Sequence, residues 1–227
     1  MKETLTELVF ILDRSGSMSR LTDDIIGGFN SMIEKQKKEP GEAVVTTVLF
    51  DDKYEILHDH LPLQKVKPLT NKEYFARGLT ALLDAVGMTI NTVGARLNDT
   101  PERKRPGKVI FVITTDGLEN SSHEFTRAQI KEMITHQQDK YSWNFVFLGA
   151  NMDAVKEAST LGIQADFARN YSASKAGTAN LFEGVSETMG VMRSAAFDRR
   201  KKDQGYCAAM AALDKAEGKK DKGNGEA

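Results

Sequence analysis

Short continuous apolar runs alternate along this chain with longer stretches in which apolar residues recur every three or four positions. The first run, Leu8-Val-Phe-Ile-Leu12, has no polar break, as expected of a central strand buried on both faces. Ile25, Phe29, Met32, Ile33 and Gln36 then fall on one helical face, which predicts a helix from Thr22 to Lys38 ended by Pro40-Gly41. Ala43 to Phe50 is rich in strand formers. After Asp51-Asp52 the chain resumes as Lys53 to His58, so the pair predicts a hairpin with one antiparallel strand at the sheet edge.

Leu82, Val86, Ile90, Val93 and Leu97 predict a long helix after Thr80, and the polar segment Asn98 to Gly107 predicts a surface loop. Lys108 to Thr115 is the second buried strand. Thr126-Arg-Ala-Gln129 reads as a capping box opening a helix that runs to about Gln138. Trp143 to Leu148 is a further strand, and Asp153 to Leu161 a short helix closed by Gly162 in a left-handed position. Phe182, Val185, Met189, Met192 and Ala196 mark a last helix. This order predicts an α/β fold, doubly wound, with a mostly parallel sheet, one antiparallel edge strand and helices on both faces. Residues 1–197 are expected to form one domain. Residues 198–227, rich in Lys, Asp, Glu and Gly, are expected to be a charged tail, disordered from Lys215 to Ala227.

Composition narrows the function classes. The chain has 227 residues, 40% hydrophobic and 28% charged, enough for one sizeable core. Its 31 Lys and Arg nearly balance 32 Asp and Glu, for a net charge of -1. That argues against nucleic acid as a partner, because phosphate neutralisation needs a basic excess. The single cysteine, Cys207, excludes an internal disulfide and Cys-rich zinc sites. His58, His60, His123 and His136 share no metal-ligand spacing. No stretch approaches the ~18 apolar residues that span a bilayer, and Met1 to Glu7 has no signal-peptide pattern. A cytoplasmic protein without a membrane partner is expected.

The first buried strand runs directly into Asp13-Arg-Ser-Gly-Ser17, and the second ends in Thr114-Thr115-Asp116-Gly117. In an open α/β sheet, ligands bind beyond the carboxyl ends of the strands. Arg77-Gly-Leu-Thr80 adds a hydroxyl just before the long helix. Two carboxylates and three hydroxyls, on Asp13, Ser15, Ser17, Thr80 and Asp116, suit a hard divalent cation, Mg²⁺ first and Mn²⁺ second.

These three segments, in this order, resemble the von Willebrand factor type A family. Its metal-ion-dependent adhesion site carries Asp-x-Ser-x-Ser after the first strand, a Thr before the third helix and an Asp after the fourth strand. The resemblance covers roughly Glu7 to Ala196 and implies a Rossmann-like fold. It also implies a metal site at Asp13, Ser15, Ser17, Thr80 and Asp116, and a binding rather than catalytic role. The implied partner is a protein that offers an acidic residue to the metal, with this chain an intracellular adaptor or a subunit of a larger assembly. Arg14, Met18, Arg20, Arg77, Glu119 and His123 lie on the same loops and are expected to line the rim.

Other readings compete. Ser15, Ser17 and Thr80 are also residues that cap helices, and Asp13 could accept backbone donors in its own turn. The functional alternative is a Mg²⁺-dependent phosphohydrolase of haloacid-dehalogenase type, which needs a second Asp two residues after the nucleophile; here that position is Ser15. Neither a Gly-x-Ser-x-Gly elbow nor a phosphate-binding loop is present.

Overall fold

The computed structural model describes residues 1–150, 152–194, 200 and 204–214. The uninterrupted apolar run lies inside a longer strand, β1 (Lys2–Asp13). Parallel neighbours lie on both sides: β2 (Glu42–Phe50) pairs Leu12 with Leu49, and β4 (Pro106–Thr115) pairs Leu12 with Thr114. The hairpin forms as expected, with β3 (Tyr54–Pro62) antiparallel to β2 at one edge. Beyond β4 lie β5 (Asn144–Ala150) and a four-residue strand, β6 (Ala168–Tyr171), both parallel. The sheet order is β3-β2-β1-β4-β5-β6.

Side chains alternate across a strand, so β1 shows where the helices sit. Phe10 meets Phe29 of α1 (Thr22–Gln36) edge to face at 5.4 Å. Glu7, on the opposite face of β1, meets Arg96 of α2 (Leu82–Asp99). Helices therefore cover both faces. α3 (Arg127–Tyr141) packs beside α2, and α5 (Lys175–Arg193) beside α1. The capping box is present: Thr126 accepts from the Gln129 N–H, and the Gln129 side chain accepts from Thr126. Gly162, at φ +81°, closes α4 (Ala154–Thr160).

Three features depart from expectation. β1 starts at Lys2 rather than Leu8, because the polar Thr6 and Glu7 are buried inside the sheet; Glu7 is fully buried and accepts from Thr46 and Arg96. The short β6 has too little apolar content to announce itself. Finally, Gln204–Asp214, expected within a charged tail, folds as α6 against α5. Tyr206, Ala209 and Leu213 are buried there at helical spacing, with Tyr206 edge-on to Phe167. Ala196, the 197/198 boundary and the expected disorder from Lys215 onward lie outside the described residues. Among the described residues no helix is long and apolar enough to cross a membrane.

Candidate functional site

The register that sets Leu12 beside Thr114 also brings the ends of β1 and β4 together. Asp13, only 1% exposed, accepts from the Ser15 N–H through Oδ1 at 2.7 Å and from Thr115 Oγ1 through Oδ2 at 2.6 Å. The Ser15 and Ser17 hydroxyls are 3.1 Å apart, and Ser17 donates to Asp116 Oδ1 at 2.5 Å. A Cβ at Gly117 would stand 3.0 Å from Thr80 Oγ1 and 3.7 Å from Ser17 Oγ. All five predicted residues thus converge at one edge of the sheet.

The capping readings divide. Asp13 does hold a backbone donor of its own turn, that of Ser15. Ser15 precedes a 3₁₀ turn, Gly16–Leu21, but its hydroxyl caps nothing there. Ala81, not Thr80, is the residue before α2, and the helix is capped from outside by Glu119, whose Oε2 accepts from the Leu83 N–H at 2.9 Å. The Thr80 hydroxyl is therefore not committed to a helix end.

Backbone contacts hold the three loops in place. Gly16 donates to the Gly78 carbonyl at 3.2 Å, Arg77 to that of Arg14 at 2.8 Å, and Ala81 to that of Asp51 at 2.9 Å. Gly78 takes φ +67°, where a Cβ would meet Asp52 Oδ1 at 2.0 Å, so only glycine fits this approach. Asn120 clasps Thr80 from both sides, its side chain accepting at 2.9 Å and its N–H donating at 3.1 Å. Asp84 accepts the N–H groups of His123, Glu124 and Phe125, so the loop after β4 is fastened to α2.

The rim is smaller than expected. Arg14 and Met18 are buried: Arg14 turns inward to Asp51, Glu55 and the Glu73 carbonyl, and Met18 enters the core. Glu119 is occupied by capping. Arg20 and His123 are exposed, and Arg77 is partly exposed while paired with Asp51. Sequence reasoning missed the supporting residues Asp51, Tyr74 and Asn120. Tyr74 is fully buried and donates to the Asp13 carbonyl at 2.6 Å. The sole signal for Asp51 was the Asp-Asp turn, and nothing marked Tyr74.

Burial dominates the electrostatics. Desolvation pushes the Asp13 carboxyl up to about 6, against the hydrogen bonds from Thr115 and Ser15, with the charge of Asp116 the smallest contribution. Asp116 is also raised, chiefly by desolvation. Both carboxyls thus lack compensating positive charge, which a cation would supply. Among the described residues no group of three or more His, Cys, Asp and Glu could hold a metal. The two carboxylates and three hydroxyls that meet here are oxygen donors, a chemistry that would suit a hard divalent ion better than a soft one.

No protein-family model matches the sequence, and no curated protein matches it. Solved structures do match. The von Willebrand factor domain of the type V pili tip protein Mfa5 from Porphyromonas gingivalis superposes with a TM-score of 0.58 at 12% identity, covering 85% of this chain and 97% of that one. Proximal thread matrix protein 1 from the mussel byssus, solved with zinc in its metal-ion-dependent adhesion site, gives 0.56 at 17% identity over 82% of this chain and 46% of its own. A von Willebrand factor type A structure from Catenulispora acidiphila gives 0.52 at 15%, over 80% and 41%. The chain spans less than half the length of the latter two. With a six-stranded sheet, one antiparallel edge and helices on both faces, the chain has the fold of a von Willebrand factor type A domain.

Proposed function

We propose that this chain is a metal-dependent protein-interaction module, an adaptor or subunit of a larger cytoplasmic assembly. Asp13, Ser15, Ser17, Thr80 and Asp116 would hold a divalent cation, Mg²⁺ before Mn²⁺, and a partner protein would offer an acidic residue to it. The observation that carries this reading is the convergence of three hydroxyls and two desolvated carboxylates, drawn from three separate loops, on one sheet edge. The cation supplies an electrophilic point that a carboxylate oxygen can reach. The chain's own residues do the rest. Two carboxylates roughly balance a divalent charge, and the hydroxyls hold geometry without quenching it. The zinc-occupied site of the mussel protein supports a divalent ion in such a fold in general.

Leu79 and Leu118 support a partner at this edge. They flank Thr80 and Gly117 and are 56% and 62% exposed, giving apolar contact beside the charge. The phosphohydrolase alternative gains no support, since Ser15 stands at the acid/base position and bonds Ser17. The test is capture of partners with and without Mg²⁺, read by mass spectrometry, alongside Asp116→Asn. A partner held equally in EDTA, or equally by the variant, would overturn the reading.

A further inference from the structure

At the opposite end of the sheet from Asp13 and Asp116, a cavity of about 520 Å³ opens among the starts of β1 and β4 and the last turns of α2 and α3. β4 has ten residues, so at ~3.3 Å per residue it sets the two regions roughly 30 Å apart. One wall is aromatic. Trp143, just before β5, is 4% exposed and stacks on Phe111 at 5.3 Å, which stacks in turn on Phe145 at 4.7 Å. Leu97 and Val109 extend this wall, and Tyr141 lines the cavity while 51% exposed. Small-molecule sites are concave spaces of this size, mostly apolar, with a few polar groups that fix orientation.

Gly94 of α2 borders the same space. Glycine inside a helix is destabilising relative to alanine. No close approach calls for it here, because a Cβ at this position would meet nothing within 4 Å. The missing side chain widens the cavity instead.

The charges around it are one-sided. Arg105, Lys140 and Arg200 line the cavity against a single acid, Glu3, although the chain as a whole carries a net charge of -1. Carbonyls at the end of α2 hold the Arg105 guanidinium: Nε donates to Thr100 at 2.8 Å and Nη2 to Asn98 at 3.0 Å, and Nη1 takes part in neither bond. Lys140 lies over the Tyr141 ring, 5.4 Å from its centroid. Both cations thus engage neutral groups.

We propose that this cavity binds a small organic anion with a flat aromatic body, its ring against the Trp143 wall and its carboxylate toward Arg105 and Lys140. Aromatic side chains favour offset stacking with a ring. A guanidinium already fixed in place is pre-organised to receive a carboxylate. The site is separate from the metal reading and does not depend on it.

Trp143 is the sole tryptophan of the chain, so its emission reports on this cavity directly. The full chain is titrated with 4-biphenylacetate, and with 4-biphenylacetamide as the uncharged counterpart. The carboxylate should give a saturable change, equal in EDTA and in Mg²⁺, and the amide should bind about 10-fold more weakly. Arg105→Gln and Lys140→Gln should each weaken the carboxylate by about 5-fold. Gly94→Leu fills the cavity, so it should abolish the change while melting at or above wild type. Lys140 is exposed, so Lys140→Gln decides the charge role even if Gly94→Leu melts early. No saturable change in wild type, equal binding of acid and amide, or undiminished binding in both charge variants would overturn the proposal. So would a folded Gly94→Leu that binds as wild type does.

Discussion

The Arg14 guanidinium and the Asp51 carboxylate lie 3.1 Å apart, and neither side chain has any exposure. Arg14 belongs to the Asp13–Ser17 loop, whereas Asp51 follows β2. Asp51 also accepts from Arg77 Nε at 2.6 Å and the Lys53 N–H at 2.7 Å, and its carbonyl accepts from Ala81. One carboxylate thus joins the loop of Asp13, the β2–β3 turn and the approach to Thr80. Breaking a buried pair leaves an uncompensated charge, at a cost of ~3–5 kcal/mol. Asp51→Asn should lower the urea-unfolding free energy by about that much. Glu55→Gln, whose carboxylate is half-exposed, should cost only ~0–1 kcal/mol. Equal effects from the two would show that burial is not what makes the Arg14–Asp51 pair matter.

The two site carboxylates should behave differently from Asp51. Asp116→Asn keeps the acceptor for Ser17 and removes a desolvated charge, so it should unfold in EDTA at or above wild-type stability. Wild type should gain ~1.4–2.7 kcal/mol when Mg²⁺ stands ten- to a hundredfold above its dissociation constant. Asp116→Asn should gain far less. Melting of both proteins in EDTA and in Mg²⁺ decides it: a variant that gains as much as wild type is no ligand mutant.

Acid should stabilise the metal-free site. The folded Asp13 carboxyl sits at about 6, above its ordinary 3.8, so the native state holds this proton more tightly than the unfolded chain. The cost is fully present above pH 6 and disappears as pH falls toward 4. At ~1.4 kcal/mol per unit, it amounts to about 3 kcal/mol. In EDTA, the stability of wild type relative to Asp13→Asn should therefore rise between pH 7 and pH 4. Mg²⁺ affinity should move the other way, falling up to ~10-fold per unit below pH 6 as protons compete. A flat difference curve would show that Asp13 ionises normally.

α6 offers a test away from the site. Leu213 is fully buried there. Leu213→Ala should cost ~2–5 kcal/mol in denaturant unfolding, while the Mg²⁺-induced gain stays as in wild type. Stability within experimental error of wild type would mean that α6 packs without contributing.

The five convergent residues were legible because each lies at a strand or helix end marked by strong apolar periodicity. Leu8–Leu12 and Lys108–Thr115 announce their strands, so the residues that follow them are placed at once. The supports were not legible. Arg14 looked like a rim residue, since its inward turn depends on Asp51, which is distant in sequence and brought near only by β1–β2 pairing. Glu7 hid the true start of β1 because its burial relies on Arg96 from α2. α6 was obscured by its charged flanks, its apolar spacing spread over eleven residues.

Sequence distance gives the β1–β4 pairing a kinetic meaning. The hydrogen bond from Thr115 to Asp13 closes a loop of 102 residues, and that from Ser17 to Asp116 one of 99. Such closures carry a large entropic cost before any contact rewards them, which slows folding. A nascent or partly folded chain that has made only the β2–β3 hairpin has placed none of the five site residues, all of which lie outside that hairpin. The cation binding proposed above would accordingly be open only to molecules that have completed the central sheet.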